Sequence, residues 1–195
     1  MDNLVNLINP EFNKHKNLPN LEIELRLGKF HGKKFDTNVG ELNFNKILES
    51  LKKFSGWEQI IEKNSTSYFL GNKRMDIDDD TEEMKTFTKQ KISKVDYVIP
   101  NSPLDVRFSA AQETPIDDMS CDDVMDFMRV KQRTSFIRKN LSIDMTIVTA
   151  QPDDPDDESD TFYEIELEII DPTMVENDKI FYNIVYKVQC ILNTL

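Results

Sequence analysis

Four short stretches of this chain carry charged side chains at every second position. In LEIELRLG, Glu22, Glu24 and Arg26 alternate with Leu21, Ile23, Leu25 and Leu27. In YEIELEII, Glu164, Glu166 and Glu168 alternate with Ile165, Leu167 and Ile169. Arg129, Lys131 and Arg133 stand at the same spacing in RVKQR, and Arg107, Ser109, Ala111 and Glu113 do so in DVRFSAAQE. Residues two apart in a β-strand share a face, about 6.6–6.8 Å from each other. The first three stretches therefore present ladders of clustered charge, and the fourth shares one face only if no bulge intervenes. Cross-strand neighbours normally carry opposite charges. Runs of like charge repel and lower stability unless something offsets them. A divalent cation does this for clustered carboxylates, and a polyphosphate does it for clustered arginine and lysine.

The elements that would position these ladders are mostly strands. Residues 1–19 read as an irregular or helical lead-in, and 20–31 as a strand. The stretch 41–54 places Leu42, Phe44, Ile47, Leu48, Leu51 and Phe54 at helical spacing, and Gly56 ends it. Strands are expected near 57–63, 66–78, 83–92, 94–100, 104–114, 126–138, 140–149 and 161–170. Turns are expected at Asn101-Ser102-Pro103 and Lys139-Asn140. Pro172 opens a last helix with Ile180, Ile184, Val188 and Ile191 or Leu192 on one face. Its apolar stripe is expected to pack on the body of the protein rather than to make a dimer. Many consecutive antiparallel strands imply a barrel or sandwich. Their uncharged faces are consistently apolar, as in Leu141, Ile143, Met145 and Ile147. If those faces lie outward under the helices and loops, the charged faces point into the lumen, and a closed barrel of this kind is a tunnel. The expected fold is thus mainly β (α+β): a closed eight-stranded antiparallel β-barrel tunnel with a few flanking helices, one domain over 1–195.

Composition narrows the class. Lys and Arg number 24 against 36 Asp and Glu, a net charge of −12. Such a chain repels nucleic acid at long range, so any RNA contact must be confined to a local basic pocket. No apolar run approaches the ~20 residues of a membrane span, and MDNLVNLINPEF lacks the features of a signal peptide. Two cysteines, Cys121 and Cys190, and two histidines, His15 and His31, build neither a zinc site nor a disulfide framework. They read as ordinary intracellular groups. The acidic stretch QPDDPDDESD (151–160) reads as a solvated connection between strands. Abundant Asn, Lys, Ile and Asp suggest AT-rich coding, as in a virus or protist.

The pair of glutamate strands, EIELRLG and EIELEI, with the R-x-K-x-R strand between them, resembles the metal-dependent RNA triphosphatases of fungi, protozoa and large DNA viruses. These belong to the triphosphate tunnel metalloenzymes. The resemblance covers about residues 20–170. Arg74 in NKRMDID, Lys89 in FTKQKI, Glu113 six residues after Arg107, and Asp144 in LSIDMTIV follow the family's order as well. Arg26 stands where the adenylyl cyclase and thiamine triphosphatase branch typically has a lysine. Together with the third glutamate, Glu168, this favours the RNA triphosphatase branch.

The resemblance implies removal of the γ-phosphate from the 5′-triphosphate end of RNA, the first step of mRNA capping, and hydrolysis of free NTP with manganese. It implies Mg²⁺ or Mn²⁺ held by Glu22, Glu24 and Glu168, with Asp144 and Glu166 reaching it through waters. Arg74, Lys131 and Arg133 would grip the γ-phosphate, supported by Lys89, Arg107 and Arg129. Glu113 is the first choice to orient the attacking water and Glu166 the second. Arg26 would support the carboxylates, and Glu164 would orient a neighbouring Arg or Lys. A guanylyltransferase, in cis or in trans, would be the partner. Its K-x-D-G motif is not in this chain, where the nearest string, KVDY at Lys94–Tyr97, lacks the glycine. The expected location is intracellular: nucleus, cytoplasm or viral factory. Two other functions suit the same ladders: a tunnel triphosphatase for inorganic or thiamine triphosphate, and a non-catalytic polar barrel that binds an anion or a partner.

Overall fold

A computed structural model describes residues 1–117, 119–120, 124–150 and 159–195. Cys121 and most of the acidic stretch 151–160 lie outside the described residues. The strands are β1 (Leu21–His31), β2 (Lys34–Asp36), β3 (Gln59–Leu70), β4 (Lys73–Asp78), β5 (Met84–Tyr97), β6 (Asp105–Pro115), β7 (Phe127–Arg138), β8 (Leu141–Ala150) and β9 (Asp160–Ile169). The helices are α1 (Asp2–His15), α2 (Glu41–Lys53) and α3 (Asp178–Leu192). The sheet runs β2-β1-β6-β5-β4-β3-β7-β8-β9, and a further pairing of β1 with β9 closes it. Eight antiparallel strands therefore form the barrel, and β2 hangs on the far end of β1 as a hairpin.

The apolar core lies outside the barrel wall. Ile23, Leu25 and Leu27 of β1, Phe108 of β6, Met145 of β8 and Ile165 and Leu167 of β9 are almost fully buried. They form one cluster with Leu4, Ile8 and Phe12 of α1 and Phe181, Val185 and Val188 of α3. Phe12 and Phe181 stack at 4.3 Å, which docks the two terminal helices on each other. α2 adds Phe44, Ile47 and Leu51, with Phe44 tilted against Tyr163 at 5.3 Å. Alternation does the rest: with one face of each strand spent on this layer, the other face must line the lumen. Among the described residues, no helix is long and apolar enough to cross a membrane.

Several boundaries differ from the sequence-based expectation. β3 runs unbroken through Asn64-Ser65, because Ser65 faces the polar lumen opposite Lys131 and Asn64 faces solvent, where polar residues are tolerated. The break falls instead at Gly71-Asn72, where Gly71 has φ +59 and closes the β3–β4 hairpin. The two strands expected over 83–100 are a single strand with a bulge between Lys91 and Ser93. Leu42 is 69% exposed and does not join the buried face of α2. Pro172–Met174 forms a separate 3₁₀ turn, and α3 starts later, capped by the Asn177 side chain, which accepts from the Ile180 N–H.

Gly28 shows how tightly the β1–β2 hairpin is fitted. A Cβ there would overlap the Asp36 carbonyl oxygen and the Phe35 ring. Phe35 in turn lies under the Arg107 guanidinium, 4.6 Å from its ring centre. Gly28→Ala is expected to cost about 1–3 kcal/mol through overpacking, read as a lower midpoint in urea unfolding. An unchanged midpoint would show that the hairpin slides away freely.

Candidate active site

Register across the seam of the barrel decides which charges meet. Between β1 and β9, Glu24 lies opposite Glu168 and Arg26 opposite Glu166. On the other side of β1, the β6 residues Arg107, Ser109 and Ala111 lie opposite Arg26, Glu24 and Glu22. β8 sets Ser142, Asp144 and Thr146 opposite Glu168, Glu166 and Glu164. The small side chains Ser109 and Ala111 leave a cavity of about 230 Å³, lined also by Glu22, Glu24, Arg26, Lys89, Lys91, Lys94, Arg107 and Ala110.

Ion pairs knit the acidic side together. The Lys89 ammonium donates to Glu22 at 2.5 Å and lies 3.2 Å from Glu113, its register partner. Arg26 contacts both Glu166 and Glu24, the latter at 3.2 Å. Arg133 reaches across from β7: its Nε donates to the Thr146 hydroxyl at 3.0 Å, and its Nη atoms lie 3.3 Å from Asp144 and from Glu166. The Ser142 hydroxyl donates to Asp144 at 2.6 Å.

The basic side is held differently. Arg74 gives its Nε and one Nη to Asp76, both at 2.6 Å, while its face lies over Phe87. Asp76 also accepts from the Ser67 hydroxyl at 2.6 Å. Arg129 lies over the stacked rings of Phe69 and Phe127. Lys131 is buried and makes no ion pair with a described residue.

The predicted site residues thus occupy lumen-facing positions, with three differences in partnership. Lys89 is engaged by carboxylates rather than grouped with Arg74. Arg107 is clamped by Asp96 at 2.6 and 3.0 Å. Glu164 accepts from the Thr37 hydroxyl at 3.0 Å, and no arginine or lysine among the described residues pairs with it. Asp76, Asp96, Ser67 and Thr146 are additions. Asp76 alternates with Arg74 in KRMDID and is legible as a ladder. Asp96 is hidden by the bulge that precedes it.

Among the described residues, no three His, Cys, Asp or Glu side chains close round one point as a metal centre. Glu22 is paired with Lys89 and Glu24 with Arg26. The donor set nevertheless fits a hard divalent cation: Glu22, Glu24 and Glu168 are carboxylates at adjoining lumen positions of paired strands.

Residues 43–183 match the family model described as mRNA capping enzyme, beta chain, the mRNA triphosphatases. The chain belongs to this family. The activity is hydrolysis of the 5′-triphosphate end of RNA in mRNA capping, and the family is metal-dependent. Solved structures agree in fold. The Pct1 RNA triphosphatase of S. pombe superposes with a TM-score of 0.82 at 15% identity, covering 100% of this chain and 92% of Pct1. Pct1 in complex with the Spt5 CTD gives 0.80 at 15%, with the same coverages. The Mimivirus capping enzyme triphosphatase gives 0.68 at 19%, covering 99% and 98%. No curated protein matches the sequence.

In this mRNA triphosphatase the two sides of the lumen are each overcharged. Burial pushes the Glu168 carboxyl up to about 7, helped by the charges of Glu22 and Asp144. Burial and the neighbouring Glu166 push Glu24 up too. Burial raises Glu113, with the Glu22 carboxylate adding to it. Burial also acts on Glu22 and Glu166. It is outweighed at Glu22 by hydrogen bonding to Glu113 and by Lys89, and at Glu166 by Arg26 and Arg133, so both are lowered. On the opposite side, burial beside Arg74 and Arg133 pulls the Lys131 ammonium down to about 8.

The sign of the pH dependence follows. Glu168 is protonated below about 7 and gains its charge above it; Lys131 is a cation below about 8 and loses its charge above it. The kcat/KM for γ-phosphate release should therefore rise as Glu168 and then Glu24, raised to about 8, lose their protons, and fall as Lys131 loses its own. More divalent cation should move the acid limb to lower pH, because it competes with protons for the carboxylates. Lys131→Arg, which stays charged, should lose the alkaline fall. A profile that is flat across both values would mean that none of these groups titrates in the working site.

Proposed function

We propose that Glu22, Glu24 and Glu168 hold the divalent cation, Mg²⁺ or Mn²⁺, and that Arg74, Lys131 and Arg133 grip the γ-phosphate of triphosphate-ended RNA. The observation that carries this is the pairing of opposite excesses in one closed lumen. Glu24, Glu113 and Glu168 are pushed up towards their neutral form among crowded carboxylates on one side, and Lys131 is pushed down towards its neutral form on the other. A cation and a polyphosphate together relieve both. The cation supplies charge neutralisation of phosphate oxygens.

This chain's own residues do the remaining work. Phosphoryl transfer depends on positioning and electrostatic stabilisation more than on covalent chemistry. Arg74 is pre-oriented by Asp76 and Ser67, and its Nη1 edge is left for the phosphate. Arg133 is fixed by Thr146, Asp144 and Glu166, so Asp144 and Glu166 position a guanidinium as well as adding charge near the cation. Lys131 gains most from an incoming anion, being buried among cations. Arg129 supports the phosphate, and Lys89 and Arg107 support it more remotely. Glu113 orients the attacking water and takes its proton, because its raised proton affinity suits a general base near neutral pH. Glu166, held as a carboxylate by two arginines, is the second choice. Arg26 keeps Glu24 and Glu166 in place.

The product, a diphosphate-ended RNA, is what a guanylyltransferase in cis or in trans would take. We place this reaction inside the cell, where new RNA ends arise, and propose a large DNA virus as the source from the AT-rich composition.

The test is γ-phosphate release from triphosphate-ended RNA by Glu24→Ala, with circular dichroism to verify folding. Loss of at least ~100-fold is expected, the scale of removing one charge-stabilising group. A folded variant with near-normal activity would remove Glu24 from the metal site. Tripolyphosphate and thiamine triphosphate, run beside the RNA, separate the polynucleotide substrate from small triphosphates.

A further inference from the structure

Lys91 and Lys94 have no part in the chemistry above, yet both line the tunnel, Lys94 only because the sheet is deformed. In a regular strand Lys89, Lys91 and Ser93 would share the lumen face, and Lys94 would point away. The bulge between Lys91 and Ser93 inserts Ile92 as an extra residue. Beyond it the alternation is reversed. Ser93 points outward, where its hydroxyl donates to Glu11 of α1 at 2.7 Å, and Ile92 packs against the outer core. Lys91 then lies opposite Ala111 and Lys94 opposite Ser109, the small residues flanking Glu22 and Glu24. Bulges of this kind commonly re-aim side chains beside active sites.

The result is a surplus of positive charge in a protein of net charge −12. The cavity is lined by Arg26, Lys89, Lys91, Lys94 and Arg107 against only Glu22 and Glu24. Arg26 and Lys89 are occupied by those carboxylates and by Glu166 and Glu113. Arg107 has its Nε edge taken by Asp96 and one face by Phe35, which leaves its Nη1 edge. Lys91 and Lys94 make no ion pair with a described residue, and both side chains reach solvent.

We propose that Lys91 and Lys94 bind the phosphodiester backbone of the RNA just behind its triphosphate. This rests on the RNA triphosphatase activity and deepens it. A free nucleoside triphosphate or tripolyphosphate has no phosphodiester to reach these groups, so the site distinguishes a polynucleotide end from a small triphosphate.

The experiment compares wild type with a Lys91→Gln/Lys94→Gln double variant on short triphosphate-ended RNA and on ATP, over a series of salt concentrations. KM for RNA should rise about tenfold with kcat unchanged, as for lost phosphate contacts. ATP hydrolysis should stay within about twofold. The slope of log KM for RNA against log salt should fall by about 1.4, at ~0.7 per single-strand phosphate contact. An unchanged KM for RNA overturns the proposal, and so does an equal loss on ATP, which would place the lysines in the triphosphate grip. Wild type that hydrolyses neither substrate would instead sink the triphosphatase assignment itself.

Discussion

Unbalanced charge buried inside a closed barrel is the constraint on which the rest of this structure depends. Small barrels usually fill their lumen with apolar side chains and draw stability from it. Here the lumen holds carboxylates, guanidiniums and ammonium groups whose desolvation costs free energy. Stability must come from elsewhere, and it comes from the outer wall, where α1, α2 and α3 cover the apolar faces of the strands. Closure contributes too: with β1 paired to β9, the barrel has no seam left to recruit another strand. The apolar layer outside is what allows a polar, functional inside.

Within the lumen, geometry assigns different protonation states to chemically identical groups. Glu166 and Glu168 are two residues apart on β9, yet arginines on both sides hold the first as a carboxylate while the second is raised by burial and by like charges. Glu22 and Glu113 divide too: burial and their shared hydrogen bond raise Glu113, while that bond and the nearer Lys89 lower Glu22. Separated proton affinities within one cluster are the usual basis for separate acid, base and ligand roles. Lys131 mirrors this on the basic side. Burial beside Arg74 and Arg133 destabilises its charge, whereas Arg133 itself is paired with Asp144 and Glu166.

Much of this was legible in the alternation of charged residues. Strand period two places Glu22, Glu24, Glu164, Glu166, Glu168, Arg129, Lys131 and Arg133 on one face each, and barrel closure follows if the apolar faces lie outward. What alternation cannot give is register. That Glu24 meets Glu168 rather than Glu166 depends on the stagger of β1 against β9. Nor can it give breaks in its own period. The bulge at Ile92 reverses the faces of β5, so Lys94 and Asp96 are misassigned by simple counting. The hairpin at Gly71 was hidden because Asn64 and Ser65, polar residues facing solvent and lumen respectively, imitate a turn. Partnerships are equally out of reach: Lys89 reads as a phosphate ligand by type, and only its position opposite Glu113 gives it to the carboxylates.

The acidic surface and the basic lumen are not in conflict. A net charge of −12 opposes the approach of RNA only within the range that salt leaves unscreened, about 8 Å at physiological ionic strength. Inside a narrow cavity with low-dielectric walls, local charges dominate and the field is focused. An RNA end is therefore discouraged over most of the surface and attracted only where cations outnumber carboxylates. General affinity for nucleic acid would bring RNA to the protein by its middle as readily as by its end. A repulsive exterior with a cationic opening favours a chain that arrives end-first, with the densest charge leading. On this view the net acid of the chain and the cation-rich cavity serve one selectivity, because the terminal triphosphate carries more charge per length than any internal phosphodiester.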